Sequence, residues 1–157
     1  MMPDNVVLLA AVGFGLGWLP WAPGTFGSLL GLPLAWWLAG QRLGRQTLII
    51  ALLFAVAVPL CYSASLWLES GDASRIVADE YLVFPIAVTG LARARCPWVM
   101  GMAFVLYRFF DISKLPPINH MELIGGGLGI VLDDVGAAIY TWVTLATMLA
   151  FWRWYKR

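Results

Sequence analysis

Apolar residues run through this chain in long unbroken stretches, with no regular alternation of polar and apolar positions. Five stand out, at residues 26–39, 47–68, 81–92, 98–110 and 135–152. Helix is the expected state of each, because none shows the period of two or the evenly spaced turns of a membrane barrel. A helix needs about 20 residues to cross the hydrocarbon core of a bilayer. The second stretch has that length and the last is adequate. The other three are short, and are expected to tilt, to thin the bilayer or to dip into it. The pattern predicts an all-α fold, an integral membrane helical bundle with short or tilted helices. No internal repeat, low-complexity tract or linker divides it, so residues 1–157 are read as a single membrane-embedded domain. Residues 1–22 are apolar too, but they carry Asp4 and no basic residue precedes Arg42. That start lacks the basic region of a secretory signal and is read as part of the mature fold.

Composition strengthens the membrane reading. Of 157 residues, 61% are hydrophobic and 12% charged, and the mean hydropathy is +0.80. A soluble domain of this size would have too little polar surface to cover itself, and lipid is the simplest partner for the excess. The nine tryptophans fit interfacial anchoring and membrane packing. Cys61 lies in an apolar run and Cys96 beside a basic turn, without the spacing of a metal site or disulfide framework, so both are read as structural.

The net charge of +1 says little; its distribution says more. If each stretch reverses the chain, one set of loops holds Arg42, Arg45, Arg93, Arg95, Arg153, Lys156 and Arg157 and no acid. The other holds all nine acids, Asp4, Glu69, Asp72, Asp79, Glu80, Asp111, Glu122, Asp133 and Asp134, against Arg75, Arg108 and Lys114. A nominal −6 beside a low-dielectric membrane repels itself strongly unless something neutralises it, and a divalent cation is the economical answer. Asp4, Glu69 and Glu122 are read as ordinary solvated acids. The functional loops are thus expected to gather on one face.

Four stretches carry candidate chemistry. In residues 15–33, GLGWLPWAPGTFGSLLGLP, the residues Gly24, Thr25, Gly27 and Ser28 lead into an apolar helix. Thr25 is a candidate cap, and the glycines would let backbone N–H groups approach a phosphate where the helix dipole favours anions. The lysine of a Walker loop is missing, and packing is an equal explanation for the glycines. In residues 72–81, DASRIVADEY, the adjacent carboxylates Asp79 and Glu80 diverge by about 100° on a helix, so one can face a metal and the other an arginine. Favouring the helix dipole is their bland alternative. In residues 107–119, YRFFDISKLPPIN, Arg108, Asp111 and Lys114 recur every three residues along one side of a helix, emerging at membrane depth where charge tends to be functional. Arg108 suits bidentate phosphate binding, Lys114 a point charge, and Asp111 a metal or one of those bases. In residues 125–138, GGGLGIVLDDVGAA, two vicinal aspartates, Asp133 and Asp134, are read as opening the last helix. One carboxylate would suffice to cap it, which makes the pair the strongest local metal signal. His120 is the one histidine and is read as a solvated loop residue. Oxygen-only ligation therefore favours Mg²⁺ over zinc.

Taken in order, GFGLGWLPWAPGTFGSLLGLP, IVADE (76–80), YRFFDISK (107–114) and GGLGIVLDD (126–134) resemble the phosphatidylglycerophosphatase A family, over about residues 12–140. Val83, Leu115 and the order VGAA after the aspartates depart from the family pattern without removing a charged group. The resemblance implies Mg²⁺-dependent hydrolysis of the phosphomonoester of phosphatidylglycerophosphate, giving phosphatidylglycerol and inorganic phosphate in phospholipid synthesis. The expected metal ligands are Asp79, Glu80, Asp133 and Asp134, with Asp72 or Asp111 completing the shell or orienting water. Arg108, Lys114 and the turn Gly24, Thr25, Gly27 and Ser28 would bind phosphate oxygens, and water or an aspartate would be the nucleophile. The expected partners are a phospholipid substrate and membrane lipids. Neither nucleic acid nor a protein partner is implied.

Two other classes share some of these features. An ion or proton transporter also uses intramembrane acids, but near mid-span, whereas these are expected at segment ends. A CDP-alcohol phosphatidyltransferase-like enzyme uses several aspartates and Mg²⁺, but its spaced DG…AR…G…D…D pattern is missing. The expected location is the bacterial inner membrane, with several passes. The positive-inside rule would put the acidic face outside. The family's substrate is made on the cytoplasmic leaflet, and the reading adopted is an active site facing the cytoplasm.

Overall fold

The computed structural model describes residues 3–68 and 75–156. It is 82% helical, with no strands among the described residues. Among those residues seven helices follow in order: α1 Pro3–Ala11, α2 Pro23–Leu38, α3 Leu43–Trp67, α4 Ala78–Val83, α5 Pro97–Ser113, α6 Ile118–Met121 and α7 Gly126–Tyr155. Tighter helical turns at Gly13–Trp18, Phe84–Val88 and Glu122–Ile124 join them. Helices α2 and α5 both begin on a proline, whose fixed φ suits the first turn and whose missing N–H costs nothing there.

Helix α7 is the hub. Its buried positions Val131, Asp134, Ala138, Thr141 and Leu145 step by three and four residues, the spacing of a coiled-coil seam. One seam slot is therefore an aspartate. Helix α3 lies against α7 with a stripe of small residues, Ala57, Cys61 and Ala64. Gly127 lets the backbones close, since a Cβ there would run into the Val58 carbonyl and sit 2.7 Å from the Tyr62 Cβ. Close approach through small residues is how helices associate where lipid offers no hydrophobic drive.

The opposite face of α3 presents Leu48, Leu52 and Val56 uncovered. Two helices, α3 and α7, are long and apolar enough to cross a membrane, and only 17% and 28% of their most apolar stretches are buried. A soluble core helix would be mostly covered, so these faces fit lipid.

The chain direction alternates, and the basic residues meet at one end. There Gln46 accepts a hydrogen bond from the Gly90 N–H at 3.0 Å. Arg95 stacks over Trp36, and Arg93 and Arg153 line one small cavity. The starts of α2, α4 and α7 and the end of α5 share the other end.

Four local expectations are corrected. Helix α7 begins at Gly126, not beside Asp133, so the aspartates lie two turns inside it and are not its caps. Thr25 does not cap α2: the cap is Ala22, with φ 47°, and the Thr25 N–H bonds to the Ala22 carbonyl. Helix α5 ends at Ser113, leaving Lys114 in the left-handed conformation beyond it. His120 is exposed but sits in α6, not in a loop.

Candidate active site

The acids meet between helices, at the end of the bundle opposite the arginine-rich one. Asp79 and Glu80 open the short helix α4, and the Val77 N–H bonds to the Ala11 carbonyl at 2.9 Å, fixing where that helix starts. Side chains one residue apart on a helix diverge. Glu80 turns toward α2 and α5, where Arg108 Nη1 lies 3.3 Å from its Oε1 and Ser28 Oγ 3.1 Å from its Oε2. Asp79 turns toward α7, where its carboxyl meets that of Asp134.

Helix α2 makes room for Glu80 by lacking side chains. A Cβ on Gly24 would overlap Glu80 Oε1, and one on Gly27 would stand 2.6 Å from Val77 Cβ and 2.8 Å from Glu80 Oε2. The two glycines predicted to cradle an anion thus admit a protein carboxylate. Ser28, fully buried, also lies 2.9 Å from the Gly24 carbonyl, so its one proton serves that oxygen or Glu80. Thr25 is half-buried.

Helix α5 supplies the bases. Arg108 bonds Asp111 one turn on as well as Glu80, and Ser28 Oγ lies 3.5 Å away at the edge of bonding range. Lys114, turned back by its left-handed backbone, reaches Asp133 at 3.2 Å. Asp72 lies outside the described residues.

Burial governs the electrostatics. Asp79, Asp133 and Asp134 are 7%, 9% and 3% exposed. Burial, then the charges of Glu80 and Asp133, push the Asp79 carboxyl well above the carboxylate range. Burial raises Glu80 to about 7, against the opposing pull of Arg108. Two carboxyl groups that meet, as those of Asp79 and Asp134 do, need a shared proton or a cation. Among the described residues, two buried side-chain polar atoms lack a hydrogen-bond partner: the Tyr107 hydroxyl and Arg108 Nε. The charges acting most on the Tyr107 hydroxyl are those of Asp134, Asp111, Glu80 and Asp79. A buried donor without an acceptor costs roughly 1–3 kcal/mol, and this one suits an oxygen bound among the acids.

Among the described residues, no three acidic, cysteine or histidine side chains converge as a ready ligand set for one ion. Glu80 and Asp133 are occupied by bases, which leaves Asp79 and Asp134 as the free pair. A pair still suits Mg²⁺, which is commonly held by one or two carboxylates, with water and substrate phosphate filling the rest. Tyr107 received no role from sequence reasoning. Its position beside Arg108 in YRFFDISK was the available signal.

The model of the phosphatidylglycerophosphatase A family matches residues 9–149. The chain belongs to that family. It is 38% identical over 151 residues to the phosphatidylglycerophosphatase A of Haemophilus influenzae, covering 94% of this chain and 91% of the relative. It is 33% identical to the Escherichia coli protein of the same name, over 83% of this chain and 76% of that one. A Bacteroides thetaiotaomicron relative, 35% identical over 92% of this chain and 94% of its own length, is described as a putative phosphatidylinositol-3-phosphatase. No solved structure matches. Family membership makes the protein a phosphatase, and all four quoted motifs fall within the matched residues.

Proposed function

We propose that this phosphatase hydrolyses the phosphomonoester of phosphatidylglycerophosphate at the membrane, with Mg²⁺, releasing phosphatidylglycerol and inorganic phosphate. One observation carries the reading: the carboxyls of α4 and α7, three of them buried and Glu80 partly so, meet Arg108 on α5 and Lys114 just beyond its end, in an enzyme with two helices long and apolar enough to cross a membrane. The substrate comes from the names of the Haemophilus and Escherichia relatives.

A phosphomonoester brings up to two negative charges to this end. Arg108 has an uncommitted Nε proton for a phosphate oxygen and a planar fork suited to two of them. Lys114, 35% exposed at its side chain, can swing from Asp133 to a third. Ser28 holds Glu80, and Glu80 holds the guanidinium in place. Mg²⁺ at Asp79 and Asp134, with Glu80, Asp133 and Asp72 or Asp111 near it, would supply charge neutralisation and Lewis acidity. A carboxyl of this group that the metal leaves free would accept a proton from an attacking water and pass it to the departing glycerol oxygen. Direct attack by an aspartate is the second route, and acid quenching during turnover of ³²P-labelled lipid separates them, because only that route leaves phosphate on the protein.

The test is phosphate release by purified protein from phosphatidylglycerophosphate and from phosphatidylinositol 3-phosphate, each with and without Mg²⁺. The expected result is Mg²⁺-dependent release from the first. Release from the second alone would reassign the headgroup, and release unaffected by chelation would remove the metal. Asp134→Asn is expected to abolish turnover and leave membrane insertion intact. We assign the active end to the cytoplasmic side, where the substrate would be made. Labelling a cysteine introduced within residues 72–78 of intact cells checks this, and modification by an impermeant reagent would reverse it.

A further inference from the structure

An apolar groove ends one helical turn short of Ser28 on α2 and Arg108 on α5. It has a volume of ≈ 410 Å³ and lies between α2, through Leu32, Pro33 and Trp36, and α5, through Met100, Gly101 and Phe104. The register ties it to the acidic end. Ser28, Leu32 and Trp36 are four residues apart on one side of α2, and Arg108, Phe104 and Gly101 are four and three apart on α5. At 1.5 Å per residue the stripe from Ser28 to Trp36 is about 12 Å long. Its far end is marked by the Arg95 guanidinium, 5.8 Å from the centre of the Trp36 ring.

Gly101 is the second, independent sign. A glycine within a helix costs roughly 1 kcal/mol against alanine, and close packing is the usual compensation. That compensation is present at Gly24, Gly27, Gly31, Gly127 and Gly136, where an added Cβ would collide. Gly44 is open too, but it lies in the first turn of α3, where the helix is least demanding; at Gly101, inside α5, an added Cβ would also meet nothing within 4 Å. Neither helix propensity nor a protein neighbour asks for glycine there, and what the missing side chain leaves is an open groove floor.

We propose that this groove seats an acyl chain of the substrate, with the phosphate at Arg108 and the chain running over Gly101 toward Trp36. This rests on the lipid-phosphatase reading above. Lipid tails are as apolar as the groove, so seating a chain gains little transfer free energy. What the groove supplies is position: the chain fixes the depth and direction from which the phosphate enters the ring of acids.

Gly101→Leu fills the groove without a clash, and Gly44→Leu, at a position equally open in α3, is the control. Both are assayed in detergent micelles against phosphatidylglycerophosphate bearing two long chains and against its dihexanoyl analogue. Gly101→Leu is expected to lower kcat/KM on the long-chain lipid by roughly tenfold or more. On the short-chain lipid it should stay within about twofold of wild type, with a melting temperature equal or higher. Gly44→Leu should change neither activity. Equal effects of Gly101→Leu on both lipids, whether none or a shared loss from misfolding or altered association, would overturn the groove assignment. A wild-type protein inactive on both lipids would instead refute the reading beneath it.

Discussion

Glu80 is pulled in two directions. Burial raises its pKa from 4.5 to about 7, while Arg108 at 3.3 Å pulls it down. A carboxyl whose folded pKa is raised binds its proton more tightly in the folded state, so its contribution is fully present below about 4.5 and is lost as pH rises through about 7. In chelator, the melting temperature is therefore expected to fall across that window. Glu80→Gln should reduce the slope without flattening it, because Asp79 is shifted the same way; thermal scans in detergent at a series of pH values check this. Arg108→Lys keeps the charge and loses the fork and the Nε proton. It should lower kcat/KM by about 10- to 100-fold at unchanged stability, read by steady-state kinetics beside a melting curve. The divergence of Asp79 and Glu80 is legible from helical geometry alone. That Asp79 meets Asp134, and that Tyr107 stands unpartnered beside them, depends on contacts between residues far apart in sequence, which no local pattern records.

At the scale of elements, the apolar stretches anticipate α2, α3 and α5 to within a few residues. They miss the start of α7 by nine. The run Gly125–Gly126–Gly127 has the composition of a loop: Gly125 precedes the helix, Gly126 opens it with a φ of 64°, and Gly127 is held in it by tertiary packing that outweighs propensity. Gly127 is what lets α7 pass Val58 and Tyr62. Gly127→Val is expected to destabilise the protein by about 1–3 kcal/mol, measured by denaturation in detergent, whereas Gly44→Val, facing open space, should cost less than half as much. The α2 glycines were legible as unusual, yet their purpose was not: packing and anion binding ask for the same residue. Only the position of Glu80 against Gly24 and Gly27 distinguishes them.

The whole molecule is a two-ended object, acidic at one end and basic at the other, with an apolar belt between. Sorting the charges by loop anticipates this, because polar groups at the ends of apolar helices have nowhere else to go. Val56, near the middle of α3, faces outward. Val56→Arg is expected to raise the cost of insertion by about 2.5–3.5 kcal/mol, seen as a fall in the membrane-integrated fraction during cell-free synthesis with membranes. Helix α7 has a consequence at this scale. The same rod carries Asp133 and Asp134 and forms the seam on which the bundle closes, so reactivity and durability draw on one set of positions. Each is obtained at the other's expense. Asp134→Asn, relieved of a charge and still able to bond Asp79, should be inert yet melt higher than the active enzyme, and the gain should vanish when Asp79 is also replaced by Asn.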